Sequence, residues 1–357
     1  MTHSKILVTG AAGYVGGSVL SYLKTLESSS IDAGSVIGAV RSEEQVDALT
    51  AARFNVQQVN LSDEQAVAEL VLRNEIDVVV HCASGLDRDL VVNLIHALGK
   101  RREASGKATY FIHTSGGSAF SEVGGWSNGP TSDTDQIFDL EKALADSMPL
   151  RKVDVAVTEE AKSAGVTSYI VVPPMVYGRG LGLWNKLSVC MPLTVRASLS
   201  RRAVYTFPQD SVMPAVHVSD LMALYARLLE KIVQNDAPAG GENGYYFAVA
   251  HKIHWWPTLD RMAAALHSRG LVQQRSTQMW PNDEEAAEAY GLPGLFVQMI
   301  FNSRTEIRSG KAGALGWEPT WTQEDQFLQI IDDEVRDVLE LDTGKGSVLN
   351  NVNKQLK

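Results

Sequence analysis

Cys82 and Cys190 are the only cysteines in 357 residues. A disulfide framework and a cysteine zinc cluster both need more than that. Positive charge is also in the minority: 32 Lys and Arg face 42 Asp and Glu, a formal net charge of −10. This balance argues against a protein held to nucleic acid by phosphate contacts. No apolar run approaches the length of a membrane span, and the opening MTHSKILVTG enters a strand pattern without the apolar stretch of a signal peptide. The expectation is a cytoplasmic protein with no membrane or nucleic-acid partner. Hydrophobic residues at 45 % and charged residues at 21 % are ordinary for a soluble globular chain. The length suits one large α/β domain or two unequal lobes.

What is present is a strand–helix alternation. KILVTG (5–10), SVIGAV (35–40), NVQQV (55–59), IDVVVHCAS (76–84), ATYFIHTSG (108–116) and TSYIVVPP (167–174) are short apolar runs that read as parallel strands. Between them lie helical patterns, among them DEQAVAELVLR (63–73) and VDVAVTEEAKSAG (153–165). The reading is a Rossmann-type α/β fold, a doubly wound parallel sheet, over residues 1–178. The rhythm breaks after 178. Residues 179–213 and 251–342 read as a smaller, interleaved C-terminal substrate lobe, with 214–250 returning to the first domain. An amphipathic helix is expected over 325–340, and a flexible polar tail over 343–357.

VTGAAGYVG (8–16) joins the first strand to the first helix, with Gly10, Gly13 and Gly16 in G-x-x-G-x-x-G spacing. The first glycine allows a tight turn, the second lets backbone approach a pyrophosphate, and the third lets helix and strand pack closely. The helix N-terminus offers free N–H groups to phosphates. Thr9, Gly10, Ala12, Gly13, Tyr14, Val15 and Gly16 are therefore candidate cofactor-binding residues. At the end of the second strand, GAVRS places Ala39 and Arg41 where an NAD enzyme normally has a carboxylate for the ribose 2′-hydroxyl. Arg41, with Ser42, suits a 2′-phosphate, so the expected cofactor is NADP rather than NAD. Asn60 and Leu61 fall near the adenine, and Cys82, Ala83 and Ser84 along the pyrophosphate and ribose path.

With VVHCAS (79–84), FIHTSGGS (111–118), VVPPMVYG (171–178), AVHVSDLMALY (215–225) and NSRTEIRSGKAGALGWEP (302–319), the chain resembles the extended short-chain dehydrogenase/reductases, the NAD-dependent epimerase/dehydratase family, over roughly 4–320. The resemblance implies that Ser115 is the catalytic serine, that Thr114 borders the cofactor, and that Pro173, Pro174, Met175 and Val176 border the nicotinamide ring. It also implies a homodimer through helices flanking the fourth and fifth strands. His217 and Asp220, in VHVSD, read as structural supports.

The sequence is an atypical member, because the family's proton donor is the tyrosine of Y-x-x-x-K and that pair is missing. From Gly116 to Val176 the only tyrosine is Tyr169, inside the sixth strand. Two registers are open. FDLEK (138–142) gives Phe138 in the tyrosine slot with Lys142 kept as the ribose-holding lysine. Counting back from the following helix and strand puts the slot near Asp146 and Leu150, with neither member present. Carbonyl chemistry then needs another acid: a water on Ser115, His113, Asp146, Arg151 or Lys152. HKIH (251–254) lacks a third ligand nearby, so no metal is expected. Trp184, Trp255, Trp256 and Trp280 are candidate walls of a substrate pocket.

The favoured function is an NADP(H)-dependent oxidoreductase of a small organic carbonyl or alcohol with a non-standard proton donor. The alternatives are a redox-neutral isomerase, epimerase, dehydratase or lyase, and a non-catalytic NADP-sensing protein.

Overall fold

A computed structural model describes residues 4–26 and 30–342. The tail expected over 343–357 lies outside the described residues. Ten strands of three or more residues appear among those described: β1 (Lys5–Thr9), β2 (Val36–Val40), β3 (Val56–Gln58), β4 (Ile76–His81), β5 (Tyr110–Thr114), β6 (Thr167–Val172), β7 (Met175–Tyr177), β8 (Val212–His217), β9 (Tyr245–Phe247) and β10 (His251–His254). Seven of them form one parallel sheet in the order β3-β2-β1-β4-β5-β6-β9. This is the doubly wound Rossmann arrangement, in which the order reverses beside the first strand. Every residue of β4 is buried, which is why Val78–Val80 are consecutive apolar residues rather than an alternating pattern.

Helices cover both faces. α1 (Tyr14–Thr25), α2 (Glu43–Ala51) and the later helix Val218–Val233 share one apolar layer with the faces of β1 and β4 turned to them. α3 (Glu64–Arg73), α4 (Arg88–Ser105), α5 (Ile137–Ala143) and α6 (Pro149–Ala164) cover the other face. α6 starts four residues before the helical pattern read from the sequence. Pro149 occupies its first turn, where a missing N–H costs nothing and the fixed φ suits a helix. Gly165, in the left-handed region at φ 68°, ends it. The proline also separates α5 from α6, so the helix through Lys142 stops at Ala143.

A second core is built from α7 (Cys190–Arg201), α9 (Trp255–Ser268), α10 (Asp283–Tyr290), α11 (Gly294–Phe301), α12 (Glu324–Gln329) and α13 (Ile331–Leu341), around a small sheet in the order β10-β8-β7; the helix Val218–Val233 is α8. β8 therefore belongs to the second sheet, and the chain returns to the first layers through α8, β9 and, later, Ala312, Leu315 and Trp317. The helix read over 325–340 is two helices that dock separately. Glu324 at the start of α12 accepts from the His254 backbone N–H (2.6 Å), while α13 packs against α7 and α9.

Buried side chains tie the C-terminal segments to the nucleotide-binding half. Asp220 in the first turn of α8 accepts from Thr320 N–H (3.1 Å), the Thr320 hydroxyl (3.0 Å) and Trp321 N–H (2.9 Å). His217 stacks on Trp321 with centroids 4.3 Å apart. Glu334 of α13 accepts from Gly178 N–H (2.5 Å), and Gly178 O accepts from the Tyr14 hydroxyl (2.7 Å). Burial, followed by the charges of Asp337 and Asp333, lifts the Glu334 carboxyl from an ordinary 4.5 to about 7, against the pull of the Gly178 hydrogen bond.

Because the folded value lies above the unfolded one, ionisation of Glu334 opposes folding. Stability from this group is full below about pH 4.5 and is lost as pH rises through about 7. Glu334→Gln keeps an acceptor for Gly178. Relative to wild type it is expected to gain roughly 2–4 kcal/mol between pH 4 and pH 8, read by urea unfolding at each pH.

Candidate active site

The glycine turn leaves room where backbone must come close. Gly10 lies in the left-handed region (φ 65°), and a Cβ there would stand 2.7 Å from Cys82 O. A Cβ on Gly16 would stand 2.4 Å from Gly10 O. Gly13 N–H closes the turn on Gly10 O (2.7 Å). The first N–H groups of α1 have no partner within the helix by geometry. No side chain caps them, and the first turn holds no acidic residue. An uncapped, acid-free N-terminus behind a cradle that any side chain would fill fits a dinucleotide pyrophosphate. Gly10, Ala12, Gly13, Val15 and Gly16 lie at this turn.

The other candidate cofactor residues gather at the carboxyl ends of the strands, and several use their polar groups within the protein. Thr9 is fully buried, with its hydroxyl bonded to His81 Nδ1 (2.9 Å) and accepting from Cys82 N–H (3.2 Å). Tyr14 is likewise committed to Gly178. Burial and the charge of His113 lower His81 to about 3, so it is neutral at physiological pH. Thr114 Oγ1 joins Cys82 Sγ (3.2 Å) to the Tyr225 hydroxyl (2.6 Å), and burial pushes the Cys82 thiol up to about 12. Ala83 backs Gly10, and Ser84 Oγ accepts from Leu86 N–H. Arg41 is exposed at the end of β2, while Ser42 caps α2 by accepting from Gln45 N–H (3.4 Å). Asn60 Oδ1 accepts from Ser62 N–H, and Leu61 O accepts from Asn93. Pro173 O accepts from Gly117 N–H (2.8 Å), and Pro174 backs Gly117. Met175 is buried in the second core, and Val176 packs toward the first.

Ser115 follows β5 directly, with its N–H on Val171 O (2.9 Å). Leu150 and Asp154, one turn apart on α6, face it. Leu150 packs against Gly85 and Gly116 on either side of the serine strand end. Asp154 is fully buried, and its Oδ2 accepts from the Ser115 hydroxyl at 2.5 Å. His113 Nε2 stands 3.4 Å from Asp154 Oδ1. Behind Asp154 lies the fully buried Glu141 of α5, whose Oε2 accepts from the Tyr245 hydroxyl of β9 (2.7 Å). Arg151, also fully buried, donates to Ala119 O and Ser147 Oγ (both 2.6 Å).

Neither expected register describes this slot. It lies one turn beyond Asp146 and Leu150, with leucine first and aspartate second. Asp146 is exposed and pairs with Lys152 at 3.4 Å. Lys142 is exposed and pairs with Glu159 (2.8 Å), and its neighbour Phe138 is buried in the core. The structure does not bring Lys142 to Ser115. Trp255 and Trp280 are buried in the second core, whereas Trp184 and Trp256 are partly exposed. His251 bonds the Tyr177 hydroxyl (2.9 Å) and His254 pairs with Glu324 (3.1 Å), so the two histidines take different partners.

Sequence reading missed Asp154, Glu141 and Tyr245. The available signal was a lone carboxylate inside the apolar V-D-V-A-V of α6, and the glutamate within FDLEK itself.

A seven-stranded parallel sheet with a glycine-rich first turn and a serine after the fifth strand defines an extended short-chain dehydrogenase/reductase. The model of the NAD dependent epimerase/dehydratase family matches residues 6–239, and the chain belongs to that family. Its members are enzymes that bind a nicotinamide cofactor: oxidoreductases, epimerases and dehydratases. Oxidase ucsJ of Acremonium sp is 27 % identical over 352 residues, 92 % of this chain and 96 % of that protein. Vestitone reductase from alfalfa superposes with a TM-score of 0.59 at 18 % identity, covering 94 % of this chain and 98 % of that one. The dTDP-glucose 4,6-dehydratase of Bacillus anthracis, solved with NAD, gives 0.61 at 13 % identity, covering 97 % and 99 %.

Gly16→Val is expected to remove detectable dinucleotide binding, measured as the loss of NADPH fluorescence enhancement. Gly313→Ala, where nothing stands within 4 Å of the new Cβ, is the matched control and should bind as wild type.

Proposed function

We propose that this chain is an NADP(H)-dependent oxidoreductase acting on a small organic alcohol or carbonyl, with Ser115 contacting the substrate oxygen. The observation that carries this reading is a serine hydroxyl at the carboxyl end of β5, on the same sheet edge as the glycine turn after β1 and hydrogen-bonded to a buried carboxylate. Sites in open parallel sheets lie at such strand ends. Similarity to a protein named as an oxidase favours redox chemistry over cofactor sensing. Arg41 at the end of β2, with Ala39 in place of a carboxylate, favours the 2′-phosphate of NADP.

The cofactor, when bound, supplies hydride acceptance at its nicotinamide ring. This chain's residues then do the rest. The glycine turn holds the pyrophosphate, Arg41 and Ser42 take the 2′-phosphate, and Pro173 and Pro174 border the ring. Leu181, Leu183 and Trp184, all partly exposed beyond β7, offer an apolar surface to an organic substrate. No helix among the described residues is long and apolar enough to cross a membrane.

Arg41→Ala is expected to weaken NADPH binding about 10-fold or more while leaving NADH binding unchanged. Equal loss for both cofactors removes the 2′-phosphate assignment. Ser115→Ala is expected to lower turnover about 100-fold or more with cofactor affinity retained. If wild-type protein binds NADP(H) yet transfers no hydride across a panel of carbonyls and alcohols, the oxidoreductase reading is wrong.

A further inference from the structure

Two acidic side chains on different helices meet in the core. Asp154 of α6 and Glu141 of α5 are both fully buried, and close enough that the negative charge of Asp154 acts on Glu141. Asp154 Oδ1 and Glu141 Oε1 have no hydrogen-bond partner, although His113 Nε2 stands 3.4 Å from Asp154 Oδ1; their second oxygens accept from Ser115 and Tyr245. One proton between the two carboxyls satisfies both orphaned oxygens. Two unprotonated carboxylates at this depth would repel each other, offset in part by the charge of Arg151. Burial first, then the negative charge of Asp154, holds Glu141 well above the ordinary carboxyl range, against the Tyr245 hydrogen bond and the charge of Arg151. The other titratable groups around the pair are His113 on β5 and, stacked on it at 5.6 Å, His81 on β4.

The chain of contacts runs Tyr245 hydroxyl, Glu141 carboxyl, Asp154 carboxylate, Ser115 hydroxyl. Since the Ser115 proton points to Asp154, the serine oxygen is left as an acceptor. A substrate alcohol could donate to it.

We propose that the Asp154–Glu141 pair, acting through Ser115, takes the place of the absent tyrosine as the proton acceptor and donor of the redox step. This rests on the oxidoreductase reading above. In alcohol oxidation the substrate C–H bond breaks with its electron pair as hydride to the nicotinamide. The O–H bond breaks as its proton moves to Ser115 Oγ, the serine's own proton moves to Asp154 Oδ2, and the C=O bond forms. The pair begins with one proton and ends with two, which removes its buried charge. Carbonyl reduction reverses each transfer. Ser115 is the catalytic residue; Asp154 and Glu141 are positioning residues that act through it.

The test uses the full chain with NADP(H) and whichever alcohol–carbonyl pair the wild type turns over. Asp154→Asn can still bond Ser115 but cannot take up a proton. It is expected to lower kcat about 100-fold or more, with NADPH affinity unchanged and the limb of the wild-type kcat–pH profile that reports the pair abolished. Glu141→Gln, which keeps an acceptor for Tyr245, is expected to shift that limb. Infrared spectroscopy of unmodified, cofactor-free protein at pH 8.5 should show a protonated-carboxyl stretch, and Glu141→Gln should lack it. Wild-type turnover and an unchanged pH profile in Asp154→Asn, with Ser115→Ala impaired, overturn the relay and leave the oxidoreductase reading standing. Absence of the infrared band in the unmodified protein overturns the shared proton whether or not either variant folds. No hydride transfer by the wild type overturns both.

Discussion

The interaction on which the site depends is the hydrogen bond between Ser115 and Asp154. A carboxylate with no exposure is costly unless its oxygens are matched by donors. Here one oxygen is matched by a serine on the loop after β5, the other stands 3.4 Å from His113 Nε2, and the charge of Asp154 acts on a second carboxyl from α5. That requirement fixes the position of α6 against the sheet. It also sets the rotation of α6, because Leu150 must pack beside Gly85 and Gly116 when Asp154 reaches the serine. Pro149 supports this placement by starting the helix one residue before Leu150.

The first apolar layers and the second core are joined by close contacts at Gly178 and Gly182. Gly178 bonds both Glu334 of the last helix and Tyr14 of the first. A Cβ on Gly182 would stand 3.0 Å from Gly17. The segment after β7 therefore lies along α1, within one contact of the pyrophosphate turn. A substrate bound beside Leu183 and Trp184 would rest on an element already tied to the cofactor site.

Much of the fold was legible in the sequence because its signals are local. The glycine turn and the six apolar strand runs each occupy a few adjacent residues. The seventh strand of the sheet, β9, was not read, since three aromatic residues beyond a long excursion carry no period. The split of the final helix was missed because one amphipathic pattern runs through both halves. Ser115 was singled out by motif, but the side chains that the structure packs against it were not. Asp154, Glu141 and Tyr245 come from α6, α5 and β9, and sequence alone says nothing of which charges become buried together. In FDLEK, Phe138 is a core side chain and Lys142 a surface ion pair, while the glutamate between them turns inward to Tyr245.

The most direct measurement is a crystal structure of the chain with NADP and a bound alcohol or carbonyl ligand. The account predicts the ligand oxygen within about 3.2 Å of Ser115 Oγ, with Asp154 on the other side of the serine and no tyrosine hydroxyl in reach. A ligand oxygen held instead by a phenol, a lysine or His113, with Ser115 turned away, would contradict it.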